Sequence, residues 1–151
     1  MAEQQLCTFF LNKIYFGIDI QYVQEVIRPE VMTRIPLAPP DICGLINLRG
    51  QILTAINLQQ RLEMGESVMR STAKLIDEAP GFHIVVCLDD EAVSLLVDEV
   101  GDVLEFTENT FQPPPATLKG RMRQMLAGAY PLQEGFVLVL DIKKILAVNF
   151  K

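Results

Sequence analysis

The sequence predicts a mainly β protein made of two similar half-domains, each a curled antiparallel sheet of about five short strands. Three observations carry this. Apolar runs are short and are parted by turn residues such as Asn12-Lys13, Arg49-Gly50 and Asp89-Asp90-Glu91, which is the spacing of strands and hairpins. The chain also repeats itself. Gly44, Leu48, Asn57, Leu58 and Leu62 recur as Gly128, Leu132, Asp141, Ile142 and Leu146, at a constant offset of 84. A hairpin glycine recurs too, at Gly50 and Gly135, one residue out of step. Finally, a period of that length is too long for a solenoid and suits two half-domains. Closing each sheet into a barrel removes exposed edges. Two barrels side by side leave a cleft, a default place for binding.

The elements follow in order. Runs 6–11 and 14–18 flank Asn12-Lys13 and form a first hairpin. Asp19 caps one helical turn whose apolar face is Ile20, Val23, Val26 and Ile27. Residues 31–35 form a short strand ended by Pro36, and Pro39-Pro40-Asp41 opens a turn. The stretch 44–58, GLINLRGQILTAINL, is a strand, a polar break at Arg49-Gly50 and a second strand. A short helix follows over 59–64. Residues 65–81 are polar, mixed in charge and end in Pro80-Gly81, the composition of a linker with room for a helical turn near 73–77. Runs 82–88 and 92–97 make a hairpin, followed by Val100, Val103 and Leu104. Phe111 and Pro113-Pro114-Pro115 form a stiff extended segment. Runs 125–132 and 135–140 form the last hairpin, and 142–148 a closing helix.

A chain of 151 residues buries roughly 68–70% of its unfolded surface and needs no metal or disulfide to be stable. Half of the residues are hydrophobic and 21% are charged, so some apolar surface is available for partners. A net charge of −6 argues against nucleic acid, which calls for a basic stripe. The start lacks a basic segment followed by an apolar run, so no signal peptide is expected there. No apolar run reaches the ~20 residues of a spanning helix, so no direct membrane insertion is expected. Cys7, Cys43 and Cys87 lie singly in apolar runs and read as buried free thiols in a reducing cytoplasm.

Catalytic chemistry finds few footholds. His83 is the only histidine, which excludes His-based metal clusters, and its place before Ile84-Val85-Val86 suggests a surface or edge position. Ser94 could face it across the hairpin, but no nucleophile elbow surrounds Ser94. The glycines form no phosphate loop. The chain reads as a non-enzyme with no cofactor and no metal.

Arg49 is the better candidate. Arginine in a turn is often merely solvated, yet the second copy makes the matching turn with Gln133-Glu134-Gly135 and no arginine. The fold therefore calls for the glycine, and Arg49 offers a fork of donors suited to a partner's carboxylate. The segment from Asp19 to Ile27 is ambiguous: Val23 and Val26 face either the core or the cleft.

At these residues the chain resembles the CheW family, the adaptors of bacterial chemotaxis arrays. The motifs, in order, are YFGIDIQYVQEVI from Tyr15, TRIPLAPP from Thr33, GLINLRGQILTAINL from Gly44, LLVDEVGDVL from Leu95, and Pro113-Pro114-Pro115. The resemblance implies a pseudo-duplicated fold of two intertwined, SH3-like, five-stranded β-barrels with short helices. The subdomain boundaries are expected at roughly residues 14–80 and 1–13 plus 81–151. It also implies a non-catalytic cytoplasmic adaptor that couples the signalling tips of chemoreceptors to the regulatory domain of a CheA-type histidine kinase. Arg49, Val23 and Glu25 match family positions tied to receptor coupling, and Val26, Asn47, Leu48 and Val100 complete the expected partner-binding set. Where the family can carry an acidic and an aromatic residue after the prolines, this chain has Ala116-Thr117-Leu118. That departure keeps open an adaptor of a pilus-based twitching or phototaxis pathway. A small-ligand-binding barrel is a further alternative.

Overall fold

The structure, a computed structural model, describes residues 3–28, 32–64 and 81–147. The strands are β1 (Glu3–Leu11), β2 (Ile14–Asp19), β3 (Val23–Ile27), β4 (Ile42–Leu48), β5 (Gln51–Asn57), β6 (Phe82–Leu88), β7 (Glu91–Val97), β8 (Glu99–Thr107), β9 (Leu126–Pro131) and β10 (Phe136–Leu140). Three short helices, α1 (Leu58–Arg61), α2 (Gly120–Gln124) and α3 (Ile142–Ala147), and one-turn 3-10 helices at Ile20–Tyr22 and Glu108–Thr110 complete the described elements. Of the expected linker at 65–81, residues 65–80, including its helical turn, lie outside the described residues, as do Val31 and Val148.

Two five-stranded sheets form, with the orders β8-β1-β2-β10-β9 and β3-β6-β7-β5-β4. Each takes a hairpin from one repeat and three strands from the other. The β1–β2 hairpin of the first repeat completes the sheet of β8, β9 and β10. The β6–β7 hairpin of the second repeat completes that of β3, β4 and β5. Parallel joints make the exchange, β10 to β2 through Leu138↔Phe16 and β5 to β7 through Ile56↔Leu95. The expected subdomain boundaries therefore shift. Ile14–Asp19 belongs with β1 in the sheet of the second-repeat strands, and Phe82–Val97 belongs with β3, β4 and β5, because each hairpin stays whole and crosses over intact.

A single bridge closes each sheet on itself. Past β3, Thr33 exchanges both backbone hydrogen bonds with Leu45 of β4 at 2.8 Å. Past β8, Gln112 does the same with Ala129 of β9, at 2.9 and 2.8 Å. The repeated glycines make room for these bridges: a Cβ would lie 2.5 Å from the Thr33 oxygen at Gly44, and 2.5 Å from the Gln112 oxygen at Gly128. The repeated Asn57 and Asp141 cap equivalent helices. The Asn57 side chain accepts from the Gln60 N–H, and the Asp141 side chain accepts from the Lys144 N–H, both at 3.2 Å.

Apolar alternation sends one face of each sheet inward and the other toward its neighbour. Leu6, Tyr130, Val137 and Val139 fill one barrel, and Ile46, Leu53, Ala55 and Val85 fill the other. The largest cluster joins both sheets, with Phe9, Phe16 and Ile18 of one packing among Ile56, Ile84 and Leu95 of the other. The space expected to be a cleft is thus a shared core at this junction.

Other expectations change as well. The turn capped by Asp19, whose side chain accepts from the Gln21 N–H at 3.0 Å, ends at Tyr22. Val23 to Ile27 then run extended, because β3 finds β6 as a pairing partner. Glu99–Thr107 is a continuous nine-residue strand with a bulge against β1, where the sequence suggested only scattered apolar positions.

Candidate functional site

The hairpin of β4 and β5 turns on two residues, Arg49 and Gly50, both with positive φ (52° and 88°). Two positive φ values match the right-handed twist of the strands. Glycine adopts this backbone freely, but arginine holds it against a penalty of roughly 1–2 kcal/mol. Asn47 offsets part of that, its side-chain oxygen accepting from the Gly50 N–H at 2.9 Å. The second repeat avoids the penalty. Among the residues of its turn, only Gly135 has positive φ (85°), and Leu132 N–H donates to the Gly135 carbonyl at 2.9 Å. This explains why the two turn glycines are one position out of step. It also corrects the view that glycine alone meets the turn's backbone demand.

Arg49 is paired within the chain. Its Nη2 donates to Oε2 of Glu25 on β3, and the arginine side chain remains 68% exposed. The fork expected to await a partner's carboxylate is thus partly engaged by Glu25. Residues 24 positions apart meet because the Thr33 bridge draws the end of the β3 segment onto β4. An exposed pair of this kind contributes about 0–1 kcal/mol, so its consequence is orientation more than stability.

The structure separates the remaining predicted residues into three groups. Val26 on β3 is exposed, and so is Ile52, which stands opposite Asn47 across the hairpin. Leu48 packs against the interior of its barrel. Val23 and Val100 are half-buried against the shared core, on β3 and β8 of different sheets, so Val100 does not join the Arg49–Glu25 pair. The sequence reading missed Ile52, whose signal was present: it follows the turn on a strand where Leu53 and Ala55 point inward.

The other candidates resolve differently. His83 is buried, not on the surface or an edge, and its Nδ1 lies 2.7 Å from the buried Ser94 Oγ. The pair does face across the hairpin, and both side chains are buried. Its hydrogen bond satisfies polar groups that would otherwise be costly in the core. Cys7 is buried, which raises its thiol pKa, whereas Cys43 and Cys87 are half-buried. Among the described residues, no group of three His, Cys, Asp or Glu side chains is placed to hold a metal ion. A surface groove of about 380 Å³ runs along the proline-rich turn from Arg34 to Pro40 and the start of β4. It lies apart from the Arg49 tip, at the opposite end of β4.

A pair of exchanged barrels with a hairpin tip, exposed apolar side chains and a surface ion pair has the features of a protein that acts by association. The chain belongs to the CheW-like domain family, whose match runs over residues 5–149. It is 32% identical to the chemotaxis protein CheW of Klebsiella aerogenes, covering 95% of this chain and 82% of that one. It is 30% identical to the chemotaxis protein CheW of Treponema pallidum, covering 93% and 81%. In fold it is similar to the scaffolding protein TtCheW of Thermoanaerobacter tengcongensis, with a TM-score of 0.82 at 26% identity, covering 100% and 92% of the two chains.

Proposed function

We propose that this protein is a chemotaxis signalling adaptor that holds chemoreceptor signalling tips and a CheA-type histidine kinase together. Family membership over nearly the whole chain supports the adaptor role. The observation that carries the site is the Arg49–Glu25 pair, displayed on a turn that the second repeat builds without an arginine. Val26 on β3 and Ile52 on β5 supply exposed apolar surface on the same two segments. Receptor tips are helical, and a helix face reads such a surface through apolar anchors and a charged rim. The work is done in the cytoplasm, a reading that family membership supports.

Pull-down with receptor tips, alongside circular dichroism, tests this. Arg49→Glu should fold normally and lose receptor binding. The exchange of Glu25→Arg with Arg49→Glu separates two roles for the pair. Restored binding would show that the residues serve only to hold each other. Binding that stays lost means that the partner reads Arg49 directly, as expected here. A folded Arg49→Glu protein that binds like wild type removes Arg49 from the site.

A further inference from the structure

The helices α1 and α3 occupy equivalent places in the two repeats, and they meet through equivalent residues. Arg61 of α1 reaches across, and its Nη1 donates to the carbonyl of Ile145 on α3 at 2.9 Å. These residues are separated by 84 positions, the offset of the internal repeat. The Arg61 side chain has no exposed surface, and its Nε donates to Oδ2 of Asp41 at 2.9 Å. At the same offset from Asp41 stands Met125. The backbone around the two is alike: the Asp41 carbonyl accepts from Asn57 N–H at 2.8 Å, and the Met125 carbonyl accepts from Asp141 N–H at 2.9 Å. One repeat therefore carries a buried arginine and its carboxylate where the other carries a buried isoleucine and a buried methionine.

This difference bears on a problem that the exchanged fold creates. Each repeat gives its hairpin away and receives another in return. The bridges, caps and register are shared by both repeats, so the backbone scarcely distinguishes a first repeat pairing with a second from a first repeat pairing with another first repeat. We infer that the Arg61–Asp41 ion pair specifies which repeats pair, by seating one cation at the junction of α1 and α3 and excluding the union of two first repeats from different chains. In that union the place of Ile145 would be taken by a second arginine. Two guanidinium groups and two Asp41 carboxylates would then be packed where the native junction holds one such pair with a buried methionine and a fully buried isoleucine. Taking a second ion pair out of water carries a desolvation penalty that attraction between the ions need not repay, and a buried ion pair is best attested as a device of registry. Since the two repeats are joined in one chain, blocking the first–first union also blocks the second–second union that must accompany it.

The decisive variant gives the first repeat the second repeat's own residues, Asp41→Met with Arg61→Ile. It removes both charges together, so neither is stranded. After unfolding and refolding at high protein concentration, size-exclusion chromatography with light scattering should show wild type refolding as it began. The double variant should show a several-fold larger dimer fraction. Arg61→Lys, which keeps the charge, should behave as wild type. An unchanged dimer fraction in the double variant overturns the inference, and so does a dimer fraction in Arg61→Lys equal to that of the double variant. If the double variant does not fold, Met125→Asp with Ile145→Arg carries the test, because it builds the second ion pair into the native junction. Loss of folded protein is then expected, and a protein that melts at the wild-type temperature overturns the inference.

Discussion

The two repeats share a backbone plan and differ in what they display. Both close their sheets through a glycine and one bridge, and both cap a helix with an Asn or Asp side chain. Even their exposed apolar positions correspond. Ile52 and Phe136 follow the two turns at the offset of 84, and both are exposed. Val26 and Val103 stand at matching registers, opposite Ile84 of β6 and Cys7 of β1, and are exposed as well. Charge separates the copies. The first repeat holds Arg49 with Glu25 at the surface and Arg61 with Asp41 inside. The second has Gln133-Glu134 at its turn and Met125 with Ile145 inside. The scaffold recurs in both repeats, while the placement of charge does not.

Substitutions at matched positions would break or sharpen this contrast. The largest effect is expected at the buried pair. Asp41→Leu leaves Arg61 without its carboxylate and should destabilise by about 3–5 kcal/mol, read from denaturant unfolding. The matched change Met125→Leu conserves volume and should cost less than about 1.5 kcal/mol. The closing glycines come next, and there the copies should behave alike. Alanine at Gly44 or Gly128 forces a Cβ to within 2.5 Å of a bridging carbonyl oxygen, for a loss of about 1–3 kcal/mol each. A loss at one glycine only would mean that one barrel is not closed by its bridge. At the turn the contrast returns. Arg49→Gly relieves a left-handed arginine and loses an exposed ion pair, so the melting temperature should stay level or rise slightly while receptor binding falls.

The smallest effect concerns the exposed pair Glu3 and Glu105, which belongs to the second-repeat barrel. A hydrogen bond and repulsion from Glu3 raise the Glu105 pKa above its ordinary value. A carboxyl group raised on folding favours the folded state in its protonated form, and that contribution is lost as the pH rises through its folded pKa. Glu105→Gln should therefore slightly raise the melting temperature near neutral pH. The gain should vanish on acidification through the glutamate range, as shown by melts over a pH series.

Much of the scaffold was legible in the sequence. Local signals reveal hairpins, so Asn12-Lys13 and Arg49-Gly50 were placed correctly, the turn read as Asp89-Asp90-Glu91 was one residue too long because Glu91 already pairs with Leu88, and the repeat announced two barrels. Intertwining came with the family resemblance, but which strands cross was not legible, because β1 and β2 look the same whichever sheet they join. For the same reason the boundaries near residues 14 and 81 were misplaced. Val23 to Ile27 carried a helical spacing that tertiary pairing with β6 overrode. At the candidate site Arg49 stood out by comparison with Gln133, but its pairing with Glu25 depends on barrel closure across 24 residues. Nothing in the sequence singles out Arg61, and only packing reveals that it is buried.

The exchanged hairpins also set the order in which the chain can be finished during synthesis. When Asn57 has been made, β3, β4 and β5 exist, yet their sheet still lacks the two strands that end at Val97. The first hairpin waits longer, since its neighbours β8, β9 and β10 are complete only at Leu140. A ribosome making this protein therefore releases most of the chain before either barrel closes, and a chain truncated after the first repeat would emerge with both barrels unfinished.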